Sequence, residues 1–387
     1  MGDWLRYSIF AVGSAVLLIQ APERHLVAPT AEFPEGFTRV TALRELADGR
    51  VIVIDARDRR VVLLDWKRGA MAPVAREGSG PLEFRIPTQL LEMPGDTTWV
   101  ADFVNSRWLV LRPDGSPVAT ISSRDLSPEL YRGEVLGTDR QGRLYVQVED
   151  LRGRAPGEGS PGTAHVLRVS RSSQHADTIA SLRLPPGRLI GAQPLPGGMV
   201  RELNTRPFAP EDVAAPAPAG DLVVVRSPDY QVEHWSGPGR VSRGPLVPYQ
   251  KLKVTHEERR AFIRRQVVPG RVIVFSRDTR QVVPAPTAPP ESDASIDAQV
   301  QRVPWPDEMP PVRTGMRVAH DGTAWVPRVL GSRDTRPAYD LIDHAGERRS
   351  TVRLPARSRL AGFGRGVVYV VQLDDDDLER VQRYRWP

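Results

Sequence analysis

The sequence predicts an all-β chain closed into a six-bladed β-propeller, with a short helical and loop insertion. Three observations carry this. A turn-strand-strand unit recurs along the 387 residues. Prolines number 37 and glycines 32, too many for long helices, because proline lacks the backbone donor and fixes φ. Apolar residues alternate at short range with little helical periodicity.

Each repeat joins a glycine turn to an apolar strand and a second apolar strand. In chain order the first strands are DGRVIVID (48–55), GDTTWVAD (95–102), GRLYV (142–146), GDLVVV (220–225), DGTAWV (321–326) and GVVYVV (366–371). Their partners are RVVLLD (60–65), RWLVL (107–111), HVLRV (165–169), QVEHW (231–235), AYDLID (338–343) and RVQRY (380–384). One bulky slot falls at Ile52, Trp99, Tyr145, Val223, Trp325 and Tyr369, with three steps of 47, 46 and 44 residues and two, 78 and 102, stretched by insertions. A period of this size with four strands per unit is the signature of propeller blades. The slot residues are expected to fill the space between blades, and residues 25–37 to close the ring as the outer strand of the last blade.

The domain organisation follows. Residues 9–19 (IFAVGSAVLLI) form an apolar run behind Arg6, the length of a secretory h-region and short of a membrane span. Residues 1–21 are therefore read as a signal peptide or N-terminal anchor. The propeller takes 32–387, and the protein is expected outside the cytoplasm, in the periplasm or beyond, touching membrane only through an uncleaved N-terminus. Insertions stand at 151–163, at 186–219 and, largest, at about 250–310. The last opens on Thr255-His256-Glu257-Glu258, a capping-box spacing, and predicts a basic helix ended by Pro269. The tract 284–298 (PAPTAPPESDASIDA) reads as flexible linker or lid.

Residues 77–84 (EGSGPLEF) leading into Ile86-Pro87, then Trp99-Val100-Ala101-Asp102 and Asn105-Ser106-Arg107, resemble the blade-joining element and strand pair of bacterial six-bladed propellers of the NHL-repeat and TolB-like group. Leu82 stands where that group usually has glycine. The resemblance implies the fold, export and a binding or scaffold role. Asp55 and Asp102 occupy equivalent positions just after the slot strand, where that group also has aspartate, and are expected to fix the following loop by hydrogen bonds.

The composition excludes several function classes. With no cysteine there is no disulfide, thiolate nucleophile or cysteine-ligated metal. The net charge is +6, but arginines interleave with 47 acidic residues instead of clustering, so no nucleic-acid partner is expected. None of the seven histidines stands in a metal-ligand spacing. His320 and His344 fall in turns, and the acidic run Asp374 to Asp377 reads as a solvated loop. No catalytic residue, metal site or cofactor is assigned. The main expectation is a non-catalytic exported propeller binding a protein, peptide or anionic glycan through loops on one face. Arg259, Arg260, Arg264 and Arg265 on the insertion helix are the candidate contacts. The alternative is a metal-dependent hydrolase or lyase with its site in the central channel.

Overall fold

The computed structural model describes residues 21–386, apart from 129, 131–132, 150–161, 172–174, 186–187, 191–193, 196–197, 201, 205–206, 267–270, 276–279 and 285–291. Residues 1–20, and with them the expected signal peptide, lie outside the described residues, as does most of the 151–163 loop.

Six four-stranded antiparallel meanders form the ring. The first blade runs Val40–Glu45, Val51–Asp55, Arg60–Asp65 and Ala70–Pro73 from the channel outward, and the next runs Pro87–Met93, Thr97–Asp102, Arg107–Leu111 and Pro117–Ser122. The third is built from Glu134–Thr138, Leu144–Glu149, Thr163–Val169 and Ala176–Arg183, the fourth from Val213–Pro216, Leu222–Arg226, Gln231–Gly237 and Arg240–Leu246. The fifth comprises Arg317–Val318, Ala324–Pro327, Ala338–Ile342 and Arg348–Arg353, with Glu23–His25 parallel along its outer edge. The sixth takes three strands from the C-terminus, Ser358–Gly364, Val367–Leu373 and Glu379–Arg385. Its fourth comes from the N-terminus, Ala31–Glu32, with Ala31 opposite Arg383. Ring closure thus falls inside the segment the sequence assigned to it.

Because each second strand lies between two neighbouring blades, both its faces are buried, and Val51–Asp55 is covered at every residue. That is why these strands read as unbroken apolar runs and not as alternating ones. Six apolar clusters fill the six gaps between blades. Each slot residue joins the cluster shared with the following blade: Ile52 with Val100 and Leu109, Trp99 with Leu144 and Val146, Tyr145 with Leu222 and Val224. Val223 meets Ala324 and Val326, Trp325 meets Val368 and Val370, and Tyr369 meets Val51 and Val53. The slots are therefore equivalent.

The family-like motif explains itself locally. Glu83 folds back so that its carboxylate accepts the Gly80 N–H at 2.7 Å and pairs with Arg76. A Cβ at Gly78 would run into that carboxylate. Arg107 donates to the carbonyls of Gly80 and Glu83, and Asp102 accepts from Asn105 and from the backbone of Arg85 and Ile86. Asp55 does the same for Thr38 and Arg39. In these two blades the aspartate fixes the loop that follows, as expected, through Asn105 or Arg60, and also holds the connection that precedes the inner strand.

The insertions differ from expectation. Arg271–Phe275 and Arg280–Pro284, from the large insertion, form one sheet with Pro194–Leu195 and Gly198–Val200 from the smaller one. The expected helix is His256–Gln266. A second helix, Asp293–Arg302, occupies the end of the tract read as linker, capped by Ser292, whose hydroxyl accepts the Ser295 N–H at 3.2 Å. Its Ile296 and Val300 pack on Ile263, so burial of one apolar stripe overrides the proline-rich approach.

Candidate functional site

In every blade the innermost strand starts at the same rim of the ring, called here the upper rim. Blade-to-blade connections, among them the two that carry the insertions at 186–219 and 250–310, leave from that side, and the Asp-Gly turns lie on the lower side. The inner strands enclose a channel of about 1030 Å³. Its lining mixes hydroxyls and amides (Thr41, Thr88, Gln89) with the charged groups Glu134, Glu211 and Arg317.

The lower end is bridged across the ring. Glu92 of the second blade and His320 of the fifth, which face each other over the axis, approach to 3.6 Å. Arg140 of the third blade donates to the His320 carbonyl at 2.9 Å. Arg44 lies 3.9 Å from Glu92 and pairs with Asp96 at 2.7 Å. The Glu92 carboxylate beside it holds the His320 imidazole above its ordinary pKa, and the imidazole in turn holds Glu92 below the usual carboxylate range. His320 does stand in a turn, as its sequence context suggests, yet the ring carries it to a carboxylate no local motif could have announced.

Elsewhere along the channel two charged groups have no counterion among the described residues. Glu211 precedes the inner strand of the fourth blade. Burial pushes its carboxyl pKa up, and the negative charges of Glu134, Glu149 and Asp212 push it further. No hydrogen bond or ion pair satisfies it among the described residues. Its chain neighbour Asp212 is buried and fully engaged: it accepts from the Arg183 and Ser227 N–H groups and pairs with Arg226 at 2.7 Å. The contrast separates a structural carboxylate from an available one. Arg317 projects from the fifth blade into the channel. Its side chain reaches channel water, but the surrounding wall of protein desolvates it and lowers its pKa. It too has no carboxylate partner among the described residues.

The residues singled out in the sequence lie elsewhere. Arg260 pairs with Asp293 at 2.6 Å and with Asp297 at 3.4 Å, and Arg264 reaches Asp293 at 2.8 Å, so both tie the first insertion helix to the second. The Nε of Arg259 is buried, and the side chain of Arg265 lies outside the described residues. None of the described channel-lining residues comes from 250–310. Asp374 accepts from the Asp376 and Leu378 N–H groups and pairs with Arg380, while Asp375 and Asp377 face Arg357.

No protein-family model matches the chain, and no curated protein matches it in sequence. Solved structures do match in shape. The calcium-binding protein regucalcin from Agrobacterium tumefaciens superposes with a TM-score of 0.41 at 10% identity, over 95% of this chain and 97% of that one. A streptogramin B lyase superposes with a TM-score of 0.40 at 11% identity, over 92% and 87% of the two chains. A luciferin-regenerating enzyme gives 0.41 at 10% identity, over 92% and 95%. At such identities the likeness concerns the fold alone.

Proposed function

We propose that this six-bladed propeller is a hydrolase or lyase acting on a small molecule inside the channel, with Glu211 as general base. The expectation of a non-catalytic binder is corrected by the company its architecture keeps, which includes a streptogramin B lyase and a luciferin-regenerating enzyme. Of the helix arginines named as candidate contacts, Arg260 and Arg264 are engaged with acids of their own insertion.

The observation that supports catalysis is the Glu211 carboxyl at the channel wall, with its raised pKa and no partner among the described residues. A base is most effective when its pKa approaches the working pH, and burial beside like charges moves a carboxylate in that direction. Such a group can take a proton from water attacking an acyl carbon, or from the carbon next to an electron-withdrawing group in an elimination. The donor set does not fit the metal of the alternative reading: among the described residues no three His, Asp or Glu side chains stand together to hold an ion. No step is routed through one.

The test is turnover of a panel of lactones, esters and eliminable substrates by the purified protein. For whichever is turned over, Glu211→Gln is expected to lower kcat by about 10²–10⁴-fold. The variant should fold as well as the parent or better above neutral pH, because it removes a carboxylate whose charged form burial disfavours. Turnover unchanged in the variant would overturn the assignment.

Two finer readings are proposed with it. The Glu83 and Arg107 clamp supports kinship with the NHL-repeat and TolB-like propellers. The apolar run at 9–19 supports export, and no helix among the described residues is long and apolar enough to cross a membrane. Cell fractionation should find the protein outside the cytoplasm, and removal of residues 2–20 should retain it inside. Full-length protein confined to the soluble cytoplasmic fraction would contradict export.

A further inference from the structure

Beside the channel, where the fifth, sixth and first blades meet, lies a recess of about 270 Å³. Its wall carries Arg313, Arg317 and Arg359, with Thr41, Thr314 and Tyr339 between them, and no aspartate or glutamate. Arg317 and Thr314 also line the channel, so the recess opens into it.

The charge balance there is uneven for a reason the repeat makes visible. Arg317 sits opposite the slot residue Trp325, in the register position that Arg44 holds opposite Ile52. Arg44 is neutralised by Asp96 in the first turn of the following blade. The matching turn of the blade after Arg317 is Arg365-Gly366, which offers no acid. Arg359 has its own counterion, Glu379 at 2.7 Å, and adds its charge to the repulsion that Arg317 feels. Arg313 and Arg317 have none among the described residues. Guanidinium groups gathered in a recess whose wall carries no acid repel one another, and an anion that joins them relieves that repulsion.

We propose that this recess binds the oxyanion group of a small molecule, a phosphate, sulfate or carboxylate, with Arg313 and Arg317 as its principal contacts. Two planar forks can each donate a pair of N–H groups to such oxygens. The hydroxyls of Thr41, Thr314 and Tyr339 supply further donors. The inference names the substrate class for the channel and in that respect rests on the proposed function. Binding of the anion itself needs no Glu211.

Isothermal titration of the full chain with inorganic phosphate, sulfate and acetate, each separately, tests the site and identifies the preferred oxyanion. At least one should bind, with affinity falling tenfold or more in Arg317→Gln and again in the Arg313→Gln/Arg317→Gln pair. Arg317→Lys, which keeps the charge and loses the fork, should fall between, and thermal unfolding should show all variants folded. Glu211→Gln should bind the anion as the parent does. No heat from any of the three probes, or equal binding by the double variant, would overturn the anion site and leave the assignment of Glu211 untouched. Loss of turnover without loss of anion binding would separate the two readings in the other direction.

Discussion

A carboxylate and an imidazole on opposite blades, Glu92 and His320, give the clearest pH dependence at the scale of single residues. The folded pKa of His320 lies above its ordinary 6.5, so its contribution to stability is complete below that value and fades as pH rises through the folded one. Glu92 is shifted below its ordinary 4.5, so its contribution is present above that value and fades as pH falls through the folded one. Both operate in the interval between. Both side chains are about half exposed, which limits the pair to under about 1 kcal/mol. His320→Gln should therefore unfold slightly earlier than the parent near pH 6, with the gap closing by pH 9. An equal gap at both values would show that the ion pair contributes nothing. The site residues themselves were illegible in the sequence. Glu211 is one glutamate before an aspartate, and Arg317 one arginine among many. Each acquires meaning only through what the ring places, or fails to place, beside it.

At the scale of elements, the blades were legible because their signals are local. Glycine after aspartate takes the positive φ of a turn, as Gly49 does at 87° and Gly322 at 90°, and the apolar run that follows has no choice but a buried strand. The slot residues were legible for the same reason, and their packing can be weighed. Trp325 is fully buried against Tyr339, Phe363 and Trp386, with centroid distances of 6.1, 5.5 and 4.8 Å. Trp325→Ala is expected to cost about 3–5 kcal/mol in chemical denaturation, as loss of a buried aromatic does. A value near zero would mean that the gap between the fifth and sixth blades closes without it. The insertions resisted the same treatment. The strand at Gly198–Val200 finds its partner at Arg271–Phe275, from the other side of a whole blade in sequence. The helix Asp293–Arg302 hides behind a proline tract and is betrayed only by Ser292 and by the four-residue step from Ile296 to Val300. Pairings of that range leave no periodic trace.

For the molecule as a whole, closure with one N-terminal strand makes the ring a single cooperative object in which neighbouring blades share every core. The cross-ring contact between Glu92 and His320, with Arg140 laid over it, then has a bearing on traffic. Under the proposed activity, a bridge that blocks the base would leave one doorway, and product would leave past whatever is waiting to enter. Product should therefore compete with substrate, raising KM in proportion to its concentration and leaving kcat unchanged. Initial-rate measurements with added product check this, and a depressed kcat would point to a second exit. Removing that bridge with Glu92→Ala would open the base, and its first sign should be weaker product inhibition.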